Sequence, residues 1–203
     1  MYKRPEDRTW TNAGLAAAGL LPGIPALGMI KRVNDLPMDE ASKMARAKAD
    51  GYRLEEPIYH GMSGELEGGA FDLSRGGQTT DSSVGSVGLS AAHDPGLAEH
   101  FANRAGSDGA NIIPGFYRAE RVANLATDDS MLNHEVAGAI LDAWDSGYDA
   151  LRVSYQVSPR GKKGETFVLL KDPAQFRSVM AKFDPAKRNS RDILADLGAR
   201  FAR

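Results

Sequence analysis

Between Tyr52 and Val179 the chain is cut every few residues by glycine, proline or small polar side chains, so its apolar content comes in short runs. Ile58-Tyr59, Val87–Ala91, Ile112–Ala119, Tyr148–Tyr155, Glu165–Leu170 and the stretch after Pro173 each fit a short strand. Arg121–Leu125 continues the third run or leaves it. Two stretches between them have helical spacing instead. Asp94-Pro95 supplies a cap and a first-turn proline, and Leu97, Ala98, Phe101 and Ala102 then share one face. From His134 to Asp145, Val136, Ile140, Leu141 and Trp144 lie on one face, and Ser146-Gly147 ends the helix. Short strands interleaved with a few helices predict an α+β fold.

Outside that core the sequence predicts two more helices. The first lies in the stretch Leu36–Asp50, with Pro37 and acids at its start and Gly51 after its end, and its apolar stripe is Met38, Ala41, Met44/Ala45 and Ala49. The second is a short amphipathic helix from Arg191 to Phe201. Pro57-Ile58-Tyr59 predicts a strand that places His60 at its end, facing whatever lies above the sheet edge. Gly61 beside it has no Cβ, so a ligand can approach bare backbone there. The glycine-rich loop from Ser74 to Gly88 has the length of a lid or rim.

Residues 12–30 carry no charge, with Lys3, Arg4 and Arg8 before them and Lys31 and Arg32 after. About 19 apolar residues is near the minimum for a bilayer span, but Pro22-Gly23-Ile24-Pro25 breaks this run, and alanine and glycine gain little from lipid. The first reading is a small-residue helical hairpin that packs on its own domain, on a partner chain or on other copies. Membrane contact and a cleaved signal are the alternatives, the latter opposed by Glu6 and Asp7. The boundaries that follow are an N-terminal extension over 1–37 and one domain over 38–203.

The whole chain has 203 residues, of which 42% are hydrophobic and 26% charged, enough to bury a core. Twenty-five basic residues against 27 acidic ones leave a net charge of −2, so there is no cationic excess to displace counterions from nucleic acid. The absence of cysteine excludes disulfides and thiolate metal sites. The four histidines and scattered acids have no spacing typical of a metal site. No G-x-S-x-G or phosphate loop is present. His60, Ser90 and Glu165 remain, each near a predicted strand end and a glycine. A hydrolytic triad of these three lacks the strained turn that exposes a nucleophilic serine.

In order and spacing, several short motifs resemble an ADP-ribosyltransferase domain. They are Tyr59-His60-Gly61, Gly88-Leu89-Ser90 with Asp94-Pro95, Ala98 and Phe101-Ala102, Ile140-Leu141 through Gly147–Leu151, and Glu165 leading into Asp172-Pro173 and Gln175-Phe176. The likeness covers roughly residues 38 to 195. It is nearest to the domains embedded in phage polyvalent proteins and in the C-terminal parts of phage head-morphogenesis proteins.

The resemblance implies a split, bent pair of small, mostly antiparallel β-sheets clasping NAD between them. It implies that Tyr59, His60 and Gly61 form the first NAD-binding motif, with His60 on a ribose hydroxyl and the Gly61 backbone on the carboxamide. Ser90 opens the second motif, Phe101 or Phe71 packs on the nicotinamide ring, and Glu165 is the catalytic acid. The acceptor would be a host protein or other macromolecule, and the location a phage virion or a host cytoplasm. Three departures accompany the likeness. Ser90-Ala91-Ala92 stands where relatives carry an aromatic or a hydroxyl run. Glu165 lies two residues earlier than expected, which keeps it on the same strand face. Lys163 stands where arginine-modifying relatives have a second acid. A virion or ejected structural protein with a degenerate, non-catalytic version of the fold is the second reading. Another NAD-consuming or phosphate-transferring activity is the third.

Overall fold

The computed structural model describes residues 36–64, 66, 69–77, 83–104, 110–127, 133–158 and 160–194. The uncharged stretch at 12–30, the middle of the Ser74–Gly88 loop and most of the expected C-terminal helix lie outside them. The described residues form three α-helices and seven strands: α1 (Glu40–Ala49), β1 (Ile58–Ser63), β2 (Leu89–Ala92), α2 (Pro95–Asn103), β3 (Ala110–Tyr117), β4 (Val122–Thr127), α3 (Asn133–Asp145), β5 (Ala150–Tyr155), β6 (Thr166–Leu170) and β7 (Phe176–Ser178). The α+β class is as the sequence predicts. The sheet differs from the expected split pair: it is a single seven-stranded sheet in the order β4-β5-β6-β2-β1-β3-β7. Only β4 and β5 run parallel.

The sheet is not equally continuous across its width. β1 and β3 are registered over six residue pairs and β2 and β6 over four, but β1 meets β2 at the single pair Tyr59↔Ala92. The molecule thus has two ladders, β4-β5-β6-β2 and β1-β3-β7, joined at a narrow seam.

Side chains alternate between the faces along each strand, and directly paired residues share a face. One face carries Leu151, Val153, Phe167 and Leu169 against Val136, Ile140 and Trp144 of α3. At the seam the same face carries Tyr59 and Ala92 against Leu97 and Ala98 of α2. The other face carries Ile58, Leu89, Ala91, Tyr117, Val168, Leu170 and Phe176, covered by Leu66, Phe71, Leu73, Ile193 and Leu194. The covering segments hold each other, since the Ile193 amide donates to the Gly69 carbonyl (2.8 Å) and the Ser178 amide to the Ile193 carbonyl (3.1 Å).

Arg177 fixes the last described segment. It is 2% exposed, and its guanidinium donates to the carbonyls of Ala174, Phe176, Lys187, Arg188 and Ser190. Burial lowers its pKa, so five carbonyl dipoles stand where an acid partner would be usual.

Local signals explain most element boundaries. The Asp39, Asp94 and Asp172 side chains accept from backbone amides at the starts of α1, α2 and the turn before β7. Gly51 and Gly147, at φ near +83°, follow α1 and α3 in the left-handed conformation that glycine adopts without Cβ strain. Two stripes are corrected. In α1, Ala47 is the buried residue, packed with Tyr52, Ala181 and Phe183, and Met44 of the expected stripe packs against them, whereas Met38, Ala41, Ala45 and Ala49 are exposed. In α3, Ala137 is buried and Leu141 is 49% exposed. Arg191–Leu194 is turn and bridge rather than the start of a helix, because Ile193 is held by the sheet-covering segment. Among the described residues no helix is long and apolar enough to cross a membrane.

Candidate functional site

His60 lies inside β1, not at its end, and it faces the sealed side of the sheet. Its neighbours Ile58 and Met62 both belong to that side, and its ring meets Phe71 edge-on at 4.6 Å between centroids. His60 Nδ1 donates to the Ser90 carbonyl oxygen at 2.6 Å, which leaves the lone pair of the neutral ring on Nε2. Burial lowers the imidazole pKa and keeps it neutral, and the Ser90 carbonyl opposes that shift. The bond crosses from β1 to β2 where the backbone ladder has one registered pair. His60 therefore fastens the seam.

Phe71 is 8% exposed and packs between His60 and Phe176, at 5.5 Å from the latter. In this structure it is a core residue, not an open stacking platform. Gly61 faces α2, and a Cβ there would overlap the Ala98 carbonyl oxygen. The bare backbone expected to admit a ligand instead admits a turn of the protein's own helix.

On the α2 side the expected residues do converge in part. Tyr59 and Phe101 pack with Ala92, Leu97, Ala98 and Tyr155. Ser90 pairs with Leu169 and so shares this face. Glu165 directly precedes β6, and its carbonyl accepts from the Tyr155 amide at 2.9 Å. Alternation from Phe167 and Leu169 turns its side chain to the α2 side. The structure thus gathers Tyr59, Gly61, Ser90, Phe101 and Glu165 on one face and puts His60 and Phe71 on the other.

Glu165 is held by a residue the sequence reading missed. Arg160 Nη2 pairs with Glu165 Oε1, Arg160 Nε donates to Glu165 Oε2 at 3.4 Å, and Arg160 Nη2 reaches Asp94 Oδ2 at 2.6 Å. The guanidinium holds the Glu165 carboxyl below its usual range and does the same to Asp94, and it is itself held more firmly protonated. Glu165 is accordingly an anion at neutral pH. The hydroxyl of Ser158 organises the turn that delivers Arg160, accepting from the amides of Arg160 and Lys162 at 3.2 and 3.3 Å. Tyr155, beside Glu165, is pushed up to about 12 by burial; the Glu165 charge adds to this and Arg104 opposes it. It stays a protonated phenol.

Next to this cluster lies an open hollow of about 440 Å³, lined by Gly96, Glu99, His100, Asn103 and Arg104 of the α2 region and by Arg160. Two guanidinium groups face one carboxylate in it. Such a lining suits an anionic ligand that also offers hydroxyls. Arg160 is the link between hollow and carboxylate. Nothing periodic marks it: it is one arginine in a glycine-bounded turn, and the only sequence cues are its place five residues before Glu165 and the acid at Asp94.

The described flanks of the Ser74–Gly88 loop are two short 3₁₀ turns, Leu73–Arg75 and Ser83–Ser86. Val84 and Val87 pack on the α3 cluster, and Trp144 Nε1 donates to the Val87 carbonyl at 2.9 Å. Those flanks are anchored, and residues 78–82 are outside the described set. Among the described residues no group of three or more histidines and acids is placed to hold a metal ion. No family model, curated protein or solved structure matched the chain.

Proposed function

We propose that the protein is an NAD-dependent mono-ADP-ribosyltransferase working from the α2 side of its sheet, with Glu165 as the reacting-centre carboxylate. The observation that carries this reading is the position of Glu165: one residue before β6, tied through Arg160 to a nucleotide-sized hollow. Breaking the nicotinamide–ribose bond builds an oxocarbenium-like cation. A carboxylate kept ionised next to that carbon stabilises the charge as it develops and accepts from a ribose hydroxyl. The low pKa direction of Glu165 suits this electrostatic role better than proton donation. The narrow seam between the two ladders supports the split-sheet likeness, and His60 serves the site by holding the seam rather than by touching ribose. The acceptor is a host macromolecule, and Lys163 two residues before Glu165 disfavours arginine as the modified side chain.

The test is transfer of label from NAD to components of a host lysate by the full chain. Wild type labels an acceptor, and Glu165→Gln, which keeps the shape and loses the charge, abolishes labelling. NAD breakdown without an acceptor would support a hydrolase instead. The non-catalytic reading is favoured by one observation, the Arg160 clamp on both Glu165 and Asp94. It gains if wild type and Glu165→Gln are equally silent while both are folded.

A further inference from the structure

Resting on that reading, we infer that Arg160 is a ligand-displaced clamp: it holds Glu165 until a phosphate-bearing group in the hollow beside α2 takes over its guanidinium. One guanidinium is shared between two carboxylates and also lines the hollow. Its head group therefore sits at the boundary between a closed ion-pair cluster and an open, solvent-filled space. The groups facing the cluster from every side are nearly balanced in charge. Asp94 caps α2, Glu99 and Arg104 come from α2 and its end, Lys162 from the turn, and Tyr155, neutral, from β5. A diphosphate entering the hollow brings two negative charges to a site where Arg104 and Arg160 are the cations within the lining. The planar fork of Arg160 matches a phosphate as well as it matches a carboxylate. Moving it toward the hollow exchanges one bidentate partner for another and leaves Glu165 with Ser158 and solvent.

The turn carrying Arg160 is built for such a change of aim. Gly161 and Gly164 bracket its far side at φ of +72° and +71°, with open space where a Cβ would be. They are glycines for backbone conformation, not for crowding, so the turn meets no packing obstacle on that side. The backbone of the turn is closed by its own bonds, from the Ser158 amide to the Lys162 carbonyl and from the Gly161 amide to the Ser158 carbonyl, both at 2.8 Å. The change of aim is therefore one of the Arg160 side chain, whose guanidinium is held by the two carboxylates.

The experiment uses the full chain and needs no catalysis. The carboxyl carbon of Glu165, assigned by difference from Glu165→Gln, is titrated by NMR with and without inorganic pyrophosphate, ADP-ribose or nicotinamide. Pyrophosphate and ADP-ribose should move the Glu165 titration up toward that of an ordinary glutamate, and nicotinamide alone should not. Arg160→Gln should titrate near the ordinary position without ligand and bind pyrophosphate about tenfold or more weakly. Arg160→Lys, which keeps the charge and loses the fork, should fall between the two. A thermal melt confirms that each variant is folded. Pyrophosphate that binds without moving Glu165, that binds Arg160→Gln as tightly as wild type, or that does not bind at all overturns the clamp. A ligand-dependent release of Glu165 in a protein that never labels an acceptor upholds the clamp and removes the transferase reading instead.

Discussion

The two faces of the sheet at the seam are made from the same strands and have opposite characters. On one, His60, Phe71 and Phe176 stack edge to edge in an apolar cluster with Ile193 and Leu194. On the other, α2 covers Tyr59, Gly61 and Ala92. Beyond that patch lie the hollow, Arg160 and Glu165. The contrast teaches that a residue's place in a motif does not decide which face it serves. His60 and Glu165 both lie near the seam, yet alternation within β1 and β6 sends them to opposite sides. Stability should therefore be concentrated on the first face and chemistry on the second.

The largest test of that division is Phe176→Ala. It empties the center of the sealed face and should cost about 3–5 kcal/mol of unfolding free energy, read by denaturant titration. A loss close to zero would mean the face is not a packed core. Gly61→Ala tests the border between the faces: its methyl must displace the Ala98 backbone of α2, for a loss of about 1–3 kcal/mol.

The pH dependence of stability sharpens the comparison further. Burial holds the His60 pKa below its ordinary 6.5. The unfolded chain therefore takes up this proton first as pH falls. The stabilisation is complete above the unfolded pKa and is lost as pH drops toward and through the folded one. Between about pH 7.5 and about pH 5, wild type should lose more stability than His60→Gln. Equal losses would show that the imidazole is not in the sealed environment.

On the other face the effect on stability should be smallest. Arg160→Gln removes a guanidinium whose side chain is 17% exposed, paired to the exposed Asp94 and to Glu165, which is 9% exposed; the exposed pair contributes little to folding, and the new amide can still donate to a carboxylate. Its unfolding midpoint should fall by less than that of Phe176→Ala while the Glu165 titration changes. A large drop in the midpoint would move Arg160 from the functional side of the comparison to the structural one.

How far the sequence was legible follows the range of the forces involved. Capping and turn signals are local, so Asp94-Pro95 and Asp172-Pro173 marked real boundaries, and the run from Tyr148 to Tyr155 contains β5. Stripe assignments failed where one tertiary contact decides the face. Ala47 is buried because Ala181 and Phe183 come to it from a distant part of the chain, beside the nearby Tyr52. Gly61 reads as open backbone until α2 is seen against it. The face that Glu165 takes was legible because its strand could be phased. Arg160 was not, since its role depends on Asp94, 66 residues away, and on a turn with no periodicity. The seven-stranded sheet was hidden for the same reason: a single pair, Tyr59↔Ala92, decides whether two ladders count as one.

The most direct measurement is the structure of the full chain with a non-cleavable NAD analogue. The account predicts the pyrophosphate on Arg160 in the hollow beside α2, with a ribose hydroxyl on Glu165 and the bond from His60 to Ser90 intact. A nucleotide bound on the Phe71 side, or one that leaves Arg160 paired to Glu165, would contradict it.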